Sequence, residues 1–179
     1  MSPRFALSVD TRRCVGCSAC VIACKTENRV PAGGFRCWAV QETSGAFPDL
    51  ALEVRSERCN QCAEPACVSA CPTGASFVGA GGIVAVDARK CTGCKACIAS
   101  CPYGARYVHP DGHVDKCTFC LHRVTNARLP ACVETCPTSA LAFGDLANPD
   151  SPVSRAVRSR KVKVLRPESG TRPQVFFLV

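Results

Sequence analysis

The sequence predicts an α+β protein in which short β-hairpins are strung between cysteine-rich loops, with little regular core. Three observations lead there. Seventeen of the 179 residues are cysteine, and sixteen of those fall into four runs of four. Short apolar stretches and turns marked by glycine and proline lie between the runs. Aromatic residues make up only 6% of the chain, and cysteine inflates the 47% hydrophobic fraction, so the ordinary apolar core is modest for the length. Bound metal must then supply much of the folding free energy, on the order of 10 kcal/mol per tightly held site in simpler metal modules.

The clearest run is Cys91-Thr92-Gly93-Cys94-Lys95-Ala96-Cys97-Ile98-Ala99-Ser100-Cys101-Pro102. It reads C-x2-C-x2-C-x3-C-P, the bacterial-ferredoxin signature for iron–sulfur ligation. A short loop wraps one cubane and offers it three thiolates, while the fourth cysteine ligates a different cluster. That fourth cysteine is expected to start a helix pointing away, with proline in the first turn, where no backbone N–H is needed. The run recurs as an internal repeat. The first copy is Cys14, Cys17, Cys20 and Cys24, with Lys25 where proline is expected. The second is Cys59, Cys62, Cys67 and Cys71, with a longer middle gap and then Pro72. The fourth is Cys117, Cys120, Cys132 and Cys136, with an eleven-residue insertion and then Pro137. Sixteen thiolates suffice for four 4Fe–4S clusters. About twenty residues separate Cys71 from Cys91, as in a two-cluster ferredoxin, so the second and third runs read as one bacterial-ferredoxin-like unit. Spacing alone leaves the pairing of the first and fourth runs open.

Composition excludes other classes. A disulfide scaffold is usually short and lacks this spacing. The net charge of +8 favours an acidic partner surface, and no nucleic-acid fold signature accompanies it. C-x2-C pairs also bind zinc, but tight triple runs closed by C-x3-C-P argue against a zinc module. No carboxylate pair, nucleophilic site or phosphate loop is present, so the protein is not expected to turn over a substrate by itself. Residues 1–10 lack the apolar run of a signal peptide, and no stretch approaches the twenty apolar residues of a membrane span. The thiolates must stay reduced until the clusters are in place, which predicts assembly in the cytoplasm.

Taken in order, Phe5, Leu7 and Val9 alternate with Ala6 and Ser8 and predict a short half-buried strand. Residues 37–40 and 50–54 are candidate strands, separated from the first run by Pro31, Gly33 and Gly34. Cys37 belongs to no run and reads as a small buried residue. Residues 75–78 and 83–87 flank Gly79-Ala80-Gly81-Gly82 as a hairpin, and residues 105–108 and 112–114 flank Pro110-Asp111-Gly112 as another. The insertion carrying His122, Arg123, Arg128 and Pro130 reads as an exposed loop, and His109, His113 and His122 as surface groups. Lys25, Lys90, Lys95 and Lys116 either form a solvated face or favour an extra electron on a nearby cluster. Arg155, Arg158, Arg160, Lys161, Lys163 and Arg166 read as a solvated basic face. Residues 162–165 and 175–178 are expected to form a last hairpin.

Outside the cysteines, Cys117-Thr118-Phe119-Cys120, Pro130-Ala131-Cys132-Val133-Glu134-Thr135-Cys136-Pro137-Thr138 and Phe143-Gly144-Asp145-Leu146 are distinctive. So are Val164-Leu165-Arg166-Pro167-Glu168 and Gly170-Thr171-Arg172-Pro173. With the four runs in this order, residues 4–178 resemble the iron–sulfur, electron-transfer subunit of the polysulfide, thiosulfate and dimethyl sulfoxide reductase family, most of all polysulfide reductase. The resemblance implies two ferredoxin-like units nested in sequence, an outer one from residues 1–36 and 104–146 and an inner one from 55–103, followed by an extension over 147–179. It implies four clusters held by Cys14, Cys17, Cys20 and Cys136; by Cys24, Cys117, Cys120 and Cys132; by Cys71, Cys91, Cys94 and Cys97; and by Cys59, Cys62, Cys67 and Cys101. It further implies a molybdopterin-containing catalytic subunit and a polytopic, quinone-binding membrane anchor as partners. The address is then peripheral to the cytoplasmic membrane, on its outer face after export with a signal-bearing partner, with the cytoplasmic face as the alternative. The electron-transfer subunit of a formate dehydrogenase or hydrogenase is the nearest competing class; those with a membrane role often carry a C-terminal helix, which this sequence lacks.

Overall fold

A computed structural model describes residues 3–179. The chain runs through β1 (Phe5–Asp10), α1 (Ala19–Glu27), β2 (Cys37–Ala46), β3 (Asp49–Arg58), α2 (Ala66–Ser69), β4 (Ser76–Val78), β5 (Val84–Val86) and α3 (Ala96–Ala99). It continues through β6 (Tyr107–Val108), β7 (Val114–Asp115), α4 (Leu121–Val124), α5 (Ala131–Glu134), β8 (Leu141–Asp145), α6 (Pro152–Ser159), β9 (Val162–Lys163) and β10 (Val175–Leu178). One four-stranded sheet has the order β8-β1-β10-β9, and β2–β3, β4–β5 and β6–β7 are separate hairpins.

The expected half-buried first strand is instead buried from Ala6 to Asp10. It pairs antiparallel with β8 and parallel with β10, so it is the interior of a sheet rather than an edge. Side chains alternate across a strand. Leu7 and Val9 therefore join Phe143, Phe177 and the thiol-bearing Cys59, Cys117 and Cys132 in one core. The other face, where Ala6 lies opposite Gly144, is covered by α6, whose Ser151 and Val153 close over Gly144. Helix α6 was not expected from the basic run. Its signal was present, because Ser151 caps the helix by accepting from the Ser154 N–H at 3.2 Å and Pro152 occupies the first turn. Arg155 and Arg158 are exposed on it.

The cysteine loops correct one expectation in detail. The fourth cysteine of a run does not start a helix. Instead the third lies within one: Cys20 in α1, Cys67 in α2, Cys97 in α3 and Cys132 in α5. Where proline follows the fourth cysteine, the helix has ended before it, because a residue preceding proline is pushed out of the helical region. Lys25 imposes no such stop, and α1 runs on to Glu27. All four loops share a left-handed residue just before the second cysteine: Gly16 (φ 67°), Gln61 (φ 46°), Gly93 (φ 68°) and Phe119 (φ 52°). Glycine adopts this conformation freely. Gln61 and Phe119 are held there by burial. Gln61 donates to the Cys117 carbonyl at 2.7 Å and accepts from the Val84 N–H at 2.8 Å, and Phe119 stacks edge-on against Phe143.

One further expectation falls, and one open alternative is decided. The insertion in the fourth run contains α4, and its Arg123 is buried, reaching Glu27 at 2.7 Å and also Glu134. That side chain clamps α1 against the two helices of the fourth run. Lys116 is not solvated: it is 0% exposed, with its ammonium on the Val84 and Cys117 carbonyls. The hairpins at residues 75–87 and 105–115 form as expected. The 37–40 and 50–54 stretches extend into a ten-residue-per-strand hairpin. β9 and β10 pair antiparallel as the last hairpin, but β10 also belongs to the central sheet.

Candidate metal centre

All sixteen run cysteines carry free thiols, and only Cys17 and Cys94 among them are exposed. Cys14, Cys17, Cys20 and Cys136 line one cavity, although Cys136 is far away in sequence. Cys24, Cys117, Cys120 and Cys132 line a second, together with Cys37 and Arg58. Cys62 is surrounded by Cys59, Cys67 and Cys101, which with burial push its thiol up to about 11 against a bond from Thr171. In the remaining set, Cys71 accepts from the Ser76 N–H at 3.3 Å and Cys91 from the Val114 N–H at 3.4 Å. The Arg106 charge acts on Cys97. The turn between β6 and β7 packs onto the third run, with the Gly112 carbonyl against Gly93.

Electrostatics shows what the thiols require. Burial raises Cys14, and Cys20, Cys136 and Cys17 raise it further against a Gly16 N–H bond. Burial pushes Cys117 up to about 12, opposed by Arg58 and reinforced by Cys132 and Cys59. Clustered buried thiolates are therefore unfavourable without compensating positive charge, which bound metal supplies. Cys71 is the exception, lowered first by the Ser76 N–H. Amide hydrogen bonds of this kind also hold Cys136, from the Ala140 N–H at 3.3 Å, and Cys117, from the Phe119 N–H at 3.4 Å. Two buried guanidinium nitrogens, Arg58 Nε and Arg106 Nη1, find no partner in the protein. They fit an acceptor such as cluster sulfide, so the residues present suit an iron–sulfur group in donor type and in unsatisfied hydrogen bonds.

The sequence reading missed Arg58 and Arg106, which lie outside the cysteine runs and follow no spacing rule. Cys37 is buried as expected, between Val21, Cys20 and Cys24, with its thiol on the Cys20 carbonyl at 3.5 Å. His109 and His113 stack at 4.5 Å beside Asp111 on the β6–β7 turn, and His122 pairs with Glu27 at 2.7 Å.

Sixteen clustered thiols, several with amide donors on sulfur, define a ferredoxin-type iron–sulfur protein. Residues 50–146 match the 4Fe–4S dicluster domain family, and residues 13–75 match a second family of the same description. The sequence is 41% identical to a tetrathionate reductase subunit of Salmonella typhimurium, over 98% of this protein and 72% of that one. It is also 41% identical to a polysulfide reductase polypeptide of Wolinella succinogenes, over 99% and 95%. It is 31% identical to the arsenate respiratory reductase iron–sulfur subunit of a Shewanella species, over 98% and 96%. This protein belongs to the same family of electron-transferring reductase iron–sulfur subunits, with four 4Fe–4S clusters as its cofactors. Among the described residues, no helix is long and apolar enough to cross a membrane.

Proposed function

We propose that this protein is the electron wire between a molybdopterin catalytic subunit and a polytopic, quinone-binding membrane subunit of a sulfur-compound reductase complex. When bound, the clusters supply one-electron carriers. The protein holds and insulates them. The nested ligand sets are part of the proposal: Cys14, Cys17, Cys20 and Cys136; Cys24, Cys117, Cys120 and Cys132; Cys59, Cys62, Cys67 and Cys101; and Cys71, Cys91, Cys94 and Cys97. The two cavities and the thiols around Cys62 support three of these sets, and the fourth follows from the cysteines that remain.

The observation that carries the wire reading is where the thiols reach solvent. The two exposed ones, Cys17 and Cys94, fall in different sets, in the outer and inner units respectively. Between them lie buried thiols, with Cys59 acting on Cys117 across the two units. A row with Cys24, Cys59, Cys117, Cys120 and Cys132 buried at its middle, most of its other thiols half-buried, and an exposed thiol in each unit suits a relay with a partner at each end. Val15, 62% exposed beside Cys17, offers apolar surface for one partner. Named relatives acting on tetrathionate and polysulfide point to a sulfur oxyanion or polysulfide as the complex's substrate. The outer face of the cytoplasmic membrane is the proposed address. The test is reconstitution. Dithionite-reduced protein should deliver electrons to substrate only with the catalytic subunit present. Turnover by the isolated protein would refute the reading.

A further inference from the structure

Three cations are buried among the thiols, and none has a carboxylate partner among the described residues. Arg58 is 2% exposed, Lys116 0% and Arg106 6%. An uncompensated buried charge is costly, so an anionic group must answer each one.

Their positions follow one rule. Arg58 donates from Nη1 to Cys132 Sγ at 3.1 Å and from Nη2 to Ser56 Oγ, and Ser56 Oγ lies 3.3 Å from Cys20 Sγ. Cys132 and Cys20 belong to different proposed ligand sets, so the Arg58–Ser56 pair bridges the two sets of the outer unit. Arg106 repeats this in the inner unit. Its Nη2 donates to Cys67 Sγ at 2.8 Å and to Ser76 Oγ at 2.8 Å, and the Ser76 N–H donates to Cys71 Sγ at 3.3 Å. The Arg106 charge also acts on Cys97. Lys116 takes the remaining junction. Its ammonium donates to the Cys117 carbonyl at 2.8 Å in the outer unit and to the Val84 carbonyl in the inner one, where its charge also favours the Cys67 thiolate. The row therefore alternates: the Cys20 set, Arg58, the Cys132 set, Lys116, the Cys67 set, Arg106, the Cys71 set.

We propose that Arg58, Lys116 and Arg106 set the potentials of the wire, one buried cation at each of its three junctions, each making the two clusters it separates easier to reduce. The inference rests on the ligand sets proposed above. A fixed positive charge in a low-dielectric interior favours the form carrying the extra electron, and hydrogen bonds to sulfur act the same way. Arginine does not deprotonate in proteins, so the charge stays put while only the electron moves. Because each cation is shared, it raises both neighbours, and each arginine acts most on the set whose sulfur it bonds directly, that of Cys132 or Cys67. The unpartnered Arg58 Nε and Arg106 Nη1 are the donors left over for cluster sulfide.

The test is a redox titration followed by electron paramagnetic resonance on the complex, comparing the parent with Arg58→Gln, Arg106→Gln and Lys116→Gln. Each variant should shift the reduced-to-oxidised ratio of its two flanking clusters about tenfold toward oxidised, a midpoint lower by about 59 mV for a one-electron couple. The other two clusters should not move. Arg58→Lys and Arg106→Lys, which keep the charge, should restore most of the shift. Full iron content with all four midpoints unmoved in the Gln variants overturns the inference alone. A parent with far fewer than about sixteen irons overturns the ligand sets and the inference with them. Should the Gln variants lose iron, the parent labelled with 15N-guanidinium arginine decides the two arginine junctions. Nitrogen hyperfine coupling to the reduced clusters is expected there, and its absence overturns the proposal.

Discussion

Val9 and Phe177 face each other in the parallel β1–β10 pair, and neither side chain reaches solvent. One stands near the start of the sequence and the other near its end. The last strand is thus part of the sheet that backs the outer thiols, not an appendage to it. Phe177→Ala should destabilise the protein by roughly 3–5 kcal/mol, the usual cost of emptying a buried aromatic site. Anaerobic denaturation should show that loss, and cluster spectra should weaken in the outer unit before the inner one. A loss below about 1 kcal/mol would mean the strand is dispensable.

Iron content is the simplest check on the cofactors. Protein prepared without oxygen should hold about sixteen irons and as much acid-labile sulfide, four per cluster. No 3Fe–4S signal is expected in fresh protein, because every position of the third run, Cys94 included, is cysteine. Iron near eight, or a strong 3Fe signal, would contradict this.

Cys136→Ala tests the nesting. It should damage the cluster held by Cys14, Cys17 and Cys20 while the inner pair persists. It should also lower global stability, since a ligand joining distant segments closes a long loop and metal binding is folding free energy. Loss of the cluster held by Cys91, Cys94 and Cys97 instead would make the third and fourth runs the pair.

Cys37→Ala should leave all four clusters and about sixteen irons in place. The residue is 3% exposed, so a stability loss of about 1–2 kcal/mol from the small void is expected in a denaturant titration. Loss of about four irons would make Cys37 a ligand.

Much of this was legible beforehand, because cysteine spacing is a local constraint. A C-x2-C pair closes a tight loop whatever surrounds it, so the four loops and the two glycine-bounded hairpins between runs appear where the sequence places them. Proline after the fourth cysteine was equally legible, though it ends a helix where one was expected to begin. Ser151-Pro152 announced α6 but was obscured by the charge run that follows.

The sequence by itself determined the cofactor and the sixteen ligand candidates, since each depends on residues a few positions apart. Only the tertiary structure decided what lies across the fold. It brought Cys136 to the cavity of Cys14, buried β1 on both faces, and seated Arg58, Lys116 and Arg106 among the thiols. Those placements depend on how distant segments pack, and a buried arginine has the same letter as a solvated one. Spacing constrains only the loop that contains it; the charge between two loops is set by the packing that brings them together.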